Sequence, residues 1–138
     1  MNIKFSIITF ASLIIALKIF TAPLNEDIQI RSNAVEFLKD SNQISFINDV
    51  EISSEFVSIS AKSAIYDNND KIISVKGKPS SIKSSENDLF FTGTAEKMIF
   101  FSDEKIHLIG NASLKYENIS ISSNIIIFNP RTGKFSSK

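Results

Sequence analysis

From residue 27 onward the chain alternates apolar with polar positions in short runs. Ile28-Gln29-Ile30, Ile44-Ser45-Phe46, Val57-Ser58-Ile59, Ile106-His107-Leu108 and Ile119-Ser120-Ile121 all follow this rule. Successive side chains of a strand point to opposite faces, so a period of two predicts strands with one face buried and one wet. No window beyond the N-terminal region sustains a 3.6-residue period, and the predicted class is therefore all-β. Polar clusters separate the runs: Lys39–Asn42, Asp67–Asp70, Ser85–Asp88, Ser102–Lys105 and Asn129–Gly133. Asx and Gly residues supply local hydrogen bonds and permissive backbone angles there, so each cluster is expected to reverse the chain.

The strands fall into a repeat. Ser32–Phe37, Ala61–Tyr66, Ala95–Phe100 and Ser123–Phe128 each run from a small residue through a polar and an apolar one to an aromatic, and the unit recurs every 28 to 34 residues. After each of the first three aromatics come a turn and a second alternating run, then a tight break, at Asn48-Asp49, Gly77-Lys78-Pro79 or Gly110-Asn111, leading into a further strand. The fourth unit stops after its turn, at Phe135. Units that cannot bury a face alone complete one core by stacking. About three and a half units of short antiparallel strands are expected, wrapped as a β-jelly roll or solenoid-like pair of layers, open at both ends.

Strict alternation assigns one face to the interior: Ile28, Ile30, Val35, Phe37, Ile44, Phe46, Val50, Ile52, Val57, Ile59, Tyr66, Ile73, Val75, Met98, Phe100, Ile106, Leu108, Leu114, Ile119, Ile121, Ile126 and Phe128. Gln29, Glu36, Ser45, Glu51, Ser58, Ser74, Ser113 and Ser120 take the wet face. Such an interior is either a plain core or, in an incompletely closed pair of sheets, a groove for long hydrocarbon, because apolar burial is non-directional.

The first 22 residues follow a different pattern. A short positive start, Met1-Asn2-Ile3-Lys4, precedes an apolar stretch of 13 residues from Phe5 to Leu17, which is the layout of a secretory signal peptide. The stretch is shorter than the roughly 20 residues that span a bilayer. Residues 1–22 are expected to be a leader, with cleavage after Ala22 and a retained anchor as the alternative. Residues 23–138 then form one exported domain.

Composition narrows the chemistry. The 138 residues carry 15 Lys+Arg and 15 Asp+Glu, which gives no basic excess for nucleic acid. The absence of cysteine excludes disulfides, thiolate zinc sites, iron–sulfur clusters and thiol nucleophiles. A single histidine, His107, lies on the outward register, where an exposed strand residue is expected, and no Gly-flanked serine elbow or phosphate loop is present. The carboxylates Asp40, Asp67, Asp70, Glu86, Asp88, Asp103 and Glu104 fall in turns, which accounts for them without paired-carboxylate catalysis. Asp67-Asn68-Asn69-Asp70 lacks the Gly and distal Glu of a calcium loop. The reading is a non-enzyme without cofactor or metal. The Asn-x-Ser triplets at Asn111 and Asn118 are taken as strand polar residues. Lys62, Lys78, Lys97 and Lys115 are taken as solvated strand charges, with steering of lipid phosphates as the alternative.

Three features together carry a family resemblance: Ile28-x-Ile30-x-Ser32, the Gly77-Lys78-Pro79 break after an alternating strand, and Leu108-Ile109-Gly110-Asn111-Ala112-x-Leu114. In that order and spacing, from about Asp27 to Ser136, they resemble the OstA-like (LptA) family of periplasmic lipopolysaccharide-transport bridge proteins. The resemblance implies a β-jelly roll of V-shaped section whose interior holds the acyl chains of lipopolysaccharide. It implies that Ile28 and Ile30 lie where lipid and the inner-membrane partner are first met, and that Ile82 and Phe100 line the acyl groove. Phe46, Ile59, Tyr66, Val75, Met98, Leu108, Leu114 and Phe128 of the alternating face complete the expected groove. It further implies an inner-membrane LptC-type subunit at the N-terminal edge, an outer-membrane LptD-type translocon at the C-terminal edge, and head-to-tail self-assembly. Ser80 and Ser81 depart from the repeat, standing where Val50/Ile52 and Ala112/Leu114 are apolar, so the groove is expected to be narrower or wetter there.

Assembly also has a physical basis. The segment Asp27–Ser32 carries one Arg and no Pro, the usual means of blunting an edge strand being lysine, proline or a bulge. It is expected to accept a partner strand, and a heterologous contact of that kind grows a filament. Other classes remain open on sequence: a membrane-anchored LptC-type subunit, which Pro23 after Ala22 favours, a carrier of another apolar ligand, or a closed structural β-protein.

Overall fold

The structure, a computed structural model, describes residues 4–18, 27–55, 57–84, 91–103 and 105–138. Nine strands follow in chain order: β1 (Lys4–Lys18), β2 (Asp27–Leu38), β3 (Gln43–Ser53), β4 (Val57–Asp67), β5 (Ile72–Ser84), β6 (Phe91–Phe100), β7 (Ile106–Tyr116), β8 (Ile119–Phe128) and β9 (Phe135–Ser137). Each pairs antiparallel with the next, giving one open sheet in the order β1 to β9. The all-β class and the antiparallel pairing match the reading from alternation.

The turns form where Asx clusters predict them. At the β4–β5 reversal the backbone N–H groups of Asn69 and Asp70 donate to Asp67 Oδ1, at 2.9 and 3.2 Å. Successive turns stack on one another: Asn42 Nδ2 donates to Asn69 Oδ1, and Asn69 Nδ2 to the Ser41 carbonyl. At Asn129 the side-chain oxygen accepts from the N–H groups of Arg131 and Thr132. The Ser85–Asp88 cluster lies outside the described residues.

The tight breaks read from the sequence are not strand ends. Asn48-Asp49, Gly77-Lys78-Pro79 and Gly110-Asn111 sit inside β3, β5 and β7, which continue through them as strands of 11 to 13 residues. They are β-bulges. Asn48, Asp49, Gly110 and Asn111 adopt positive φ (62°, 51°, 85° and 45°), the left-handed conformation that Asn, Asp and Gly tolerate best. Side chains brace them from the neighbouring strand: Asn33 Nδ2 donates to Asp49 Oδ2, and Asn111 Nδ2 to Glu96 Oε1, both at 2.9 Å.

Every ladder from β2–β3 to β7–β8 shifts register at this level, between Arg31/Ala34, Ile47/Val50, Ser60/Ser63, Lys76/Ser80, Thr94/Lys97 and Ile109/Ala112. A bulge bends its strand, and the three bulged strands, each shifting the ladders on both of its sides, put a crease across the whole sheet. Inward residues lie on both sides of it and bury completely: Ile30, Ile59 and Leu114 in one half, Val35, Phe46, Val75, Met98, Leu108, Ile126 and Phe128 in the other. The sheet is the only secondary structure among the described residues, so its two halves cover each other. Together they form a single apolar cluster.

The crease also explains where strict alternation slips. Inward positions step by two along each half-strand and by three to five across the bulge, as in Ile28, Ile30, Ser32, Val35 and Phe37 of β2. Ile119, assigned inward by alternation, is 53% exposed, because it opens β8 directly after the two-residue turn at Glu117-Asn118 and overhangs the margin of the interior. Phe91, Ala64, Ala95 and Ala112 are buried without having been assigned by alternation.

The apolar run read as a leader is extended along β2, with pairs from Lys4↔Leu38 to Lys18↔Asp27. An edge strand offers unpaired N–H and C=O groups to any extended segment, and this Ile-rich run takes them.

Candidate functional site

The side chains expected to line a groove lie in one place. Ile30, Phe46, Ile59, Tyr66, Val75, Ile82, Met98, Leu108, Leu114 and Phe128 are all buried members of the interior cluster. Ile28 and Phe100 are half-buried and pack against it. Cross-strand rows order the set: Ile30↔Ile52, Ile52↔Ile59 and Ile59↔Ile82 in one half, Phe46↔Ala64, Ala64↔Val75, Val75↔Met98, Met98↔Leu108 and Leu108↔Ile126 in the other. Gly93 continues the first row between Ile82 and Leu114, and its missing side chain admits Leu108 from the facing half: a Cβ there would meet Leu108 Cδ2 at 3.0 Å.

At the β7–β8 end the interior is aromatic. The rings of Phe91 and Phe128 meet edge to face at 4.7 Å, and Tyr116 stands 6.4 Å from Phe128 and 6.5 Å from Phe135. Sequence reasoning missed Phe91, which begins β6 right after the 85–90 segment and so shows no alternating run leading into it.

The two halves touch through side chains alone. Among the described residues no hydrogen-bonded ladder joins them other than the strands that run through the crease, since the sheet order is linear and open. Separating them costs apolar contact, on the order of 25 cal/mol per Å² exposed, and an apolar guest would restore that burial.

The wet face holds the expected hydroxyls and lysines. A hollow of about 490 Å³ is lined by Ser58, Ser60, Ser81, Lys83, Thr92, Thr94, Ser113, Lys115 and Ser120, and a second of about 620 Å³ brings Lys62 and Lys78 together beside Asp49 and Glu51. Lys97 lines neither. Ser81 points outward and is exposed, so of the two serines that break the repeat only Ser80 enters the interior.

The polar turn groups show no convergent chemistry. Hydrogen bonds from Gln43 and from the Asp70 and Asn69 backbones hold the Asp67 carboxyl below the usual carboxylate range, which its turn geometry explains. Burial chiefly, with the Asp67 charge beside it, pushes the Tyr66 hydroxyl up. Among the described residues no three His, Asp or Glu side chains gather as a metal site would require.

His107, expected to be exposed, is half-buried because Phe101 folds over its ring at 4.5 Å between centroids. Burial, with the nearby Lys105 and Lys138, depresses its pKa against the opposing pull of Asp103. The neutral ring is therefore the form the fold prefers. Its contribution to stability is present above the unfolded pKa and is lost as pH falls through the folded one. An NMR titration of the His107 ring is expected to give a midpoint below that of an unstructured histidine peptide, and Phe101→Ala is expected to move it back up.

A crease-folded single sheet with a continuous apolar interior is the geometry against which known proteins can be compared. The family model described as "LptA/(LptD N-terminal domain) LPS transport protein" matches residues 29–134, and the chain belongs to this family. Among solved structures it is similar to LptH, the LptA-homologous periplasmic component of the lipopolysaccharide transport device of Pseudomonas aeruginosa. That likeness has a TM-score of 0.70 at 13% identity over 80% of each chain, so it speaks for the fold. No curated protein matches.

Proposed function

We propose that this protein is a periplasmic bridge component that carries lipopolysaccharide between the inner and outer membranes, with the acyl chains held between the two halves of the sheet. The observation that carries the reading is the interior itself: one apolar cluster runs along the sheet from β2 to β8, and side-chain contact alone closes it. Family membership supports the transport role. The groove would be lined by the interior residues named above, with Ile28 and Phe100 at its half-buried margin.

Assembly uses the two edges. Removal of the segment 1–22 would free the β2 edge for a strand from an LptC-type inner-membrane subunit or from another copy. At the far end β9 covers only Ile126–Phe128 of β8, leaving the Ile119–Asn124 half of that strand as an edge for an LptD-type translocon or the next copy. Two of the three large apolar residues that stand exposed among the described residues, Ile119 and Phe135, flank that edge. If β1 is instead retained, the chain is an anchored LptC-type subunit, and the N-terminal sequence of the exported protein distinguishes the two forms.

The test is capture in cells. A photo-crosslinking residue at Phe100 is expected to trap lipopolysaccharide, while one at outward-facing Ser113 is expected to trap none. Failure at Phe100 in folded protein would make the interior a closed core and end the carrier reading.

A further inference from the structure

The outward face of the sheet changes character at the crease. On one side Thr92 and Thr94 of β6, Ser113 and Lys115 of β7, and Ser120 and Ser122 of β8 face out. On the other side the same three strands turn Ile99, Ile109, Ile125 and Ile127 outward, all half-buried. Their inward neighbours Met98, Leu108, Ile126 and Phe128 are wholly buried, so the strands are apolar on both faces there. Strands of that composition are expected where a second layer covers the sheet, yet the sheet is the only secondary structure among the described residues.

The outward isoleucines are contiguous. Ile99↔His107 and His107↔Ile127 share one cross-strand row, Ile109↔Ile125 the next, and the Phe101 ring lies over His107. Ile65 extends the first row beyond Ser74 and is 40% exposed. A patch of this kind with a polar margin marks a docking surface. Its margin is cationic, because the second row runs on from Ile109 to Lys97 and then to Lys76. Val75 and Met98 beside them are wholly buried, so both lysines point outward from directly opposed positions, where like charges repel. Glu96 is turned to the bulge, where its Oε1 accepts from Asn111 Nδ2. Among the described residues neither lysine has a carboxylate partner.

We propose that this outward face of β6–β8 docks on an anionic lipid bilayer, with lipid phosphate taken between Lys76 and Lys97 and the isoleucines set against the upper acyl carbons. Charge complementarity selects the occupant. Phosphate neutralises two opposed ammonium groups at once, and the apolar surface beside them takes the hydrocarbon that an anionic lipid carries with it. A second copy laid face to face on the patch brings two more lysines to a margin already short of anions. None of these side chains enters the interior, so the proposal is independent of what the interior carries.

The test sediments the exported protein with sucrose-loaded vesicles of equal parts phosphatidylglycerol and phosphatidylcholine, which hold no lipopolysaccharide. Binding is expected, and is expected to fall sharply on pure phosphatidylcholine or in high salt. Lys76→Gln/Lys97→Gln is expected to weaken it about 25-fold, fivefold for each lysine near an anionic surface, while the urea midpoint holds or rises as the repulsion is relieved. Lys83→Gln/Lys115→Gln removes the same charge from the other side of the crease and is expected to bind as the wild type does. Ile99→Ser/Ile127→Ser is expected to lose about tenfold. Residues 1–22 are the same in every variant, so the differences read the patch alone. No binding to the anionic vesicles, an equal loss in the two lysine pairs, or wild-type binding by Lys76→Gln/Lys97→Gln overturns the proposal. So does a dimer in sedimentation velocity that Ile99→Ser/Ile127→Ser disperses, which makes a second copy the occupant. Lipopolysaccharide capture at Phe100 reads the interior separately, so either reading can fail alone.

Discussion

Truncating Phe128 to alanine is expected to lower the free energy of unfolding by about 3–5 kcal/mol, the range for deleting a buried aromatic ring. The ring is wholly buried, takes the edge of Phe91 at 4.7 Å and lies under Tyr116, so its loss leaves a cavity bounded by two other large rings. Collapse into that space is opposed on both sides. Phe91 begins β6 and Tyr116 ends β7, and these residues are themselves a cross-strand pair. Domains of this size have about 5–15 kcal/mol to lose, so the variant is expected to be partly unfolded near body temperature. Urea denaturation followed by far-UV circular dichroism measures the difference. A loss below 1 kcal/mol would mean that this end of the interior is loosely packed, contrary to the geometry.

The second large effect is expected at Gly77. Here the constraint is close approach: a side chain would put its Cβ 2.7 Å from the Ser80 backbone nitrogen and 2.9 Å from the Pro79 carbonyl carbon. Backbone cannot swing aside as a lysine tip can. Gly77→Val must therefore reshape the β5 bulge, at a cost of about 1–3 kcal/mol by analogy with overpacked cores. The register of β5 against β6 beyond Lys76 then becomes the vulnerable part, and amide exchange is expected to rise at Ser80–Lys83 more than at Ile73–Val75. Uniform exchange along the strand would contradict this account.

Much of this architecture is legible in the sequence, for an identifiable reason. Alternation such as Ile106-His107-Leu108 and turns such as Asp67–Asp70 are local signals, and local physics decides both. What alternation could not convey is that Asn48-Asp49 and Gly110-Asn111 bend a strand rather than end it. The same residue types serve turns and bulges, and the choice between them depends on whether the neighbouring strand continues to pair. That ambiguity hid Ala95 and Ala112 and made Ile82 reachable only through family resemblance. The interior residues of the candidate site were legible as a face. The opposed lysines of the outward face were not, because register is a property of neighbours, and Lys76 and Lys97 meet only where β5 and β6 pair.

The linear order of the sheet has a further consequence, for how the molecule acquires its shape. Among the described residues each strand from β2 onward pairs with the strand before it in the chain, and none pairs with a distant one. Closing one hairpin at a time costs less entropy than joining strands far apart in the chain. A polypeptide emerging N-terminus first can therefore lay down β2, β3 and β4 in succession, each new hairpin building on an edge already formed. Each edge laid down in this order is ready for the strand that follows it.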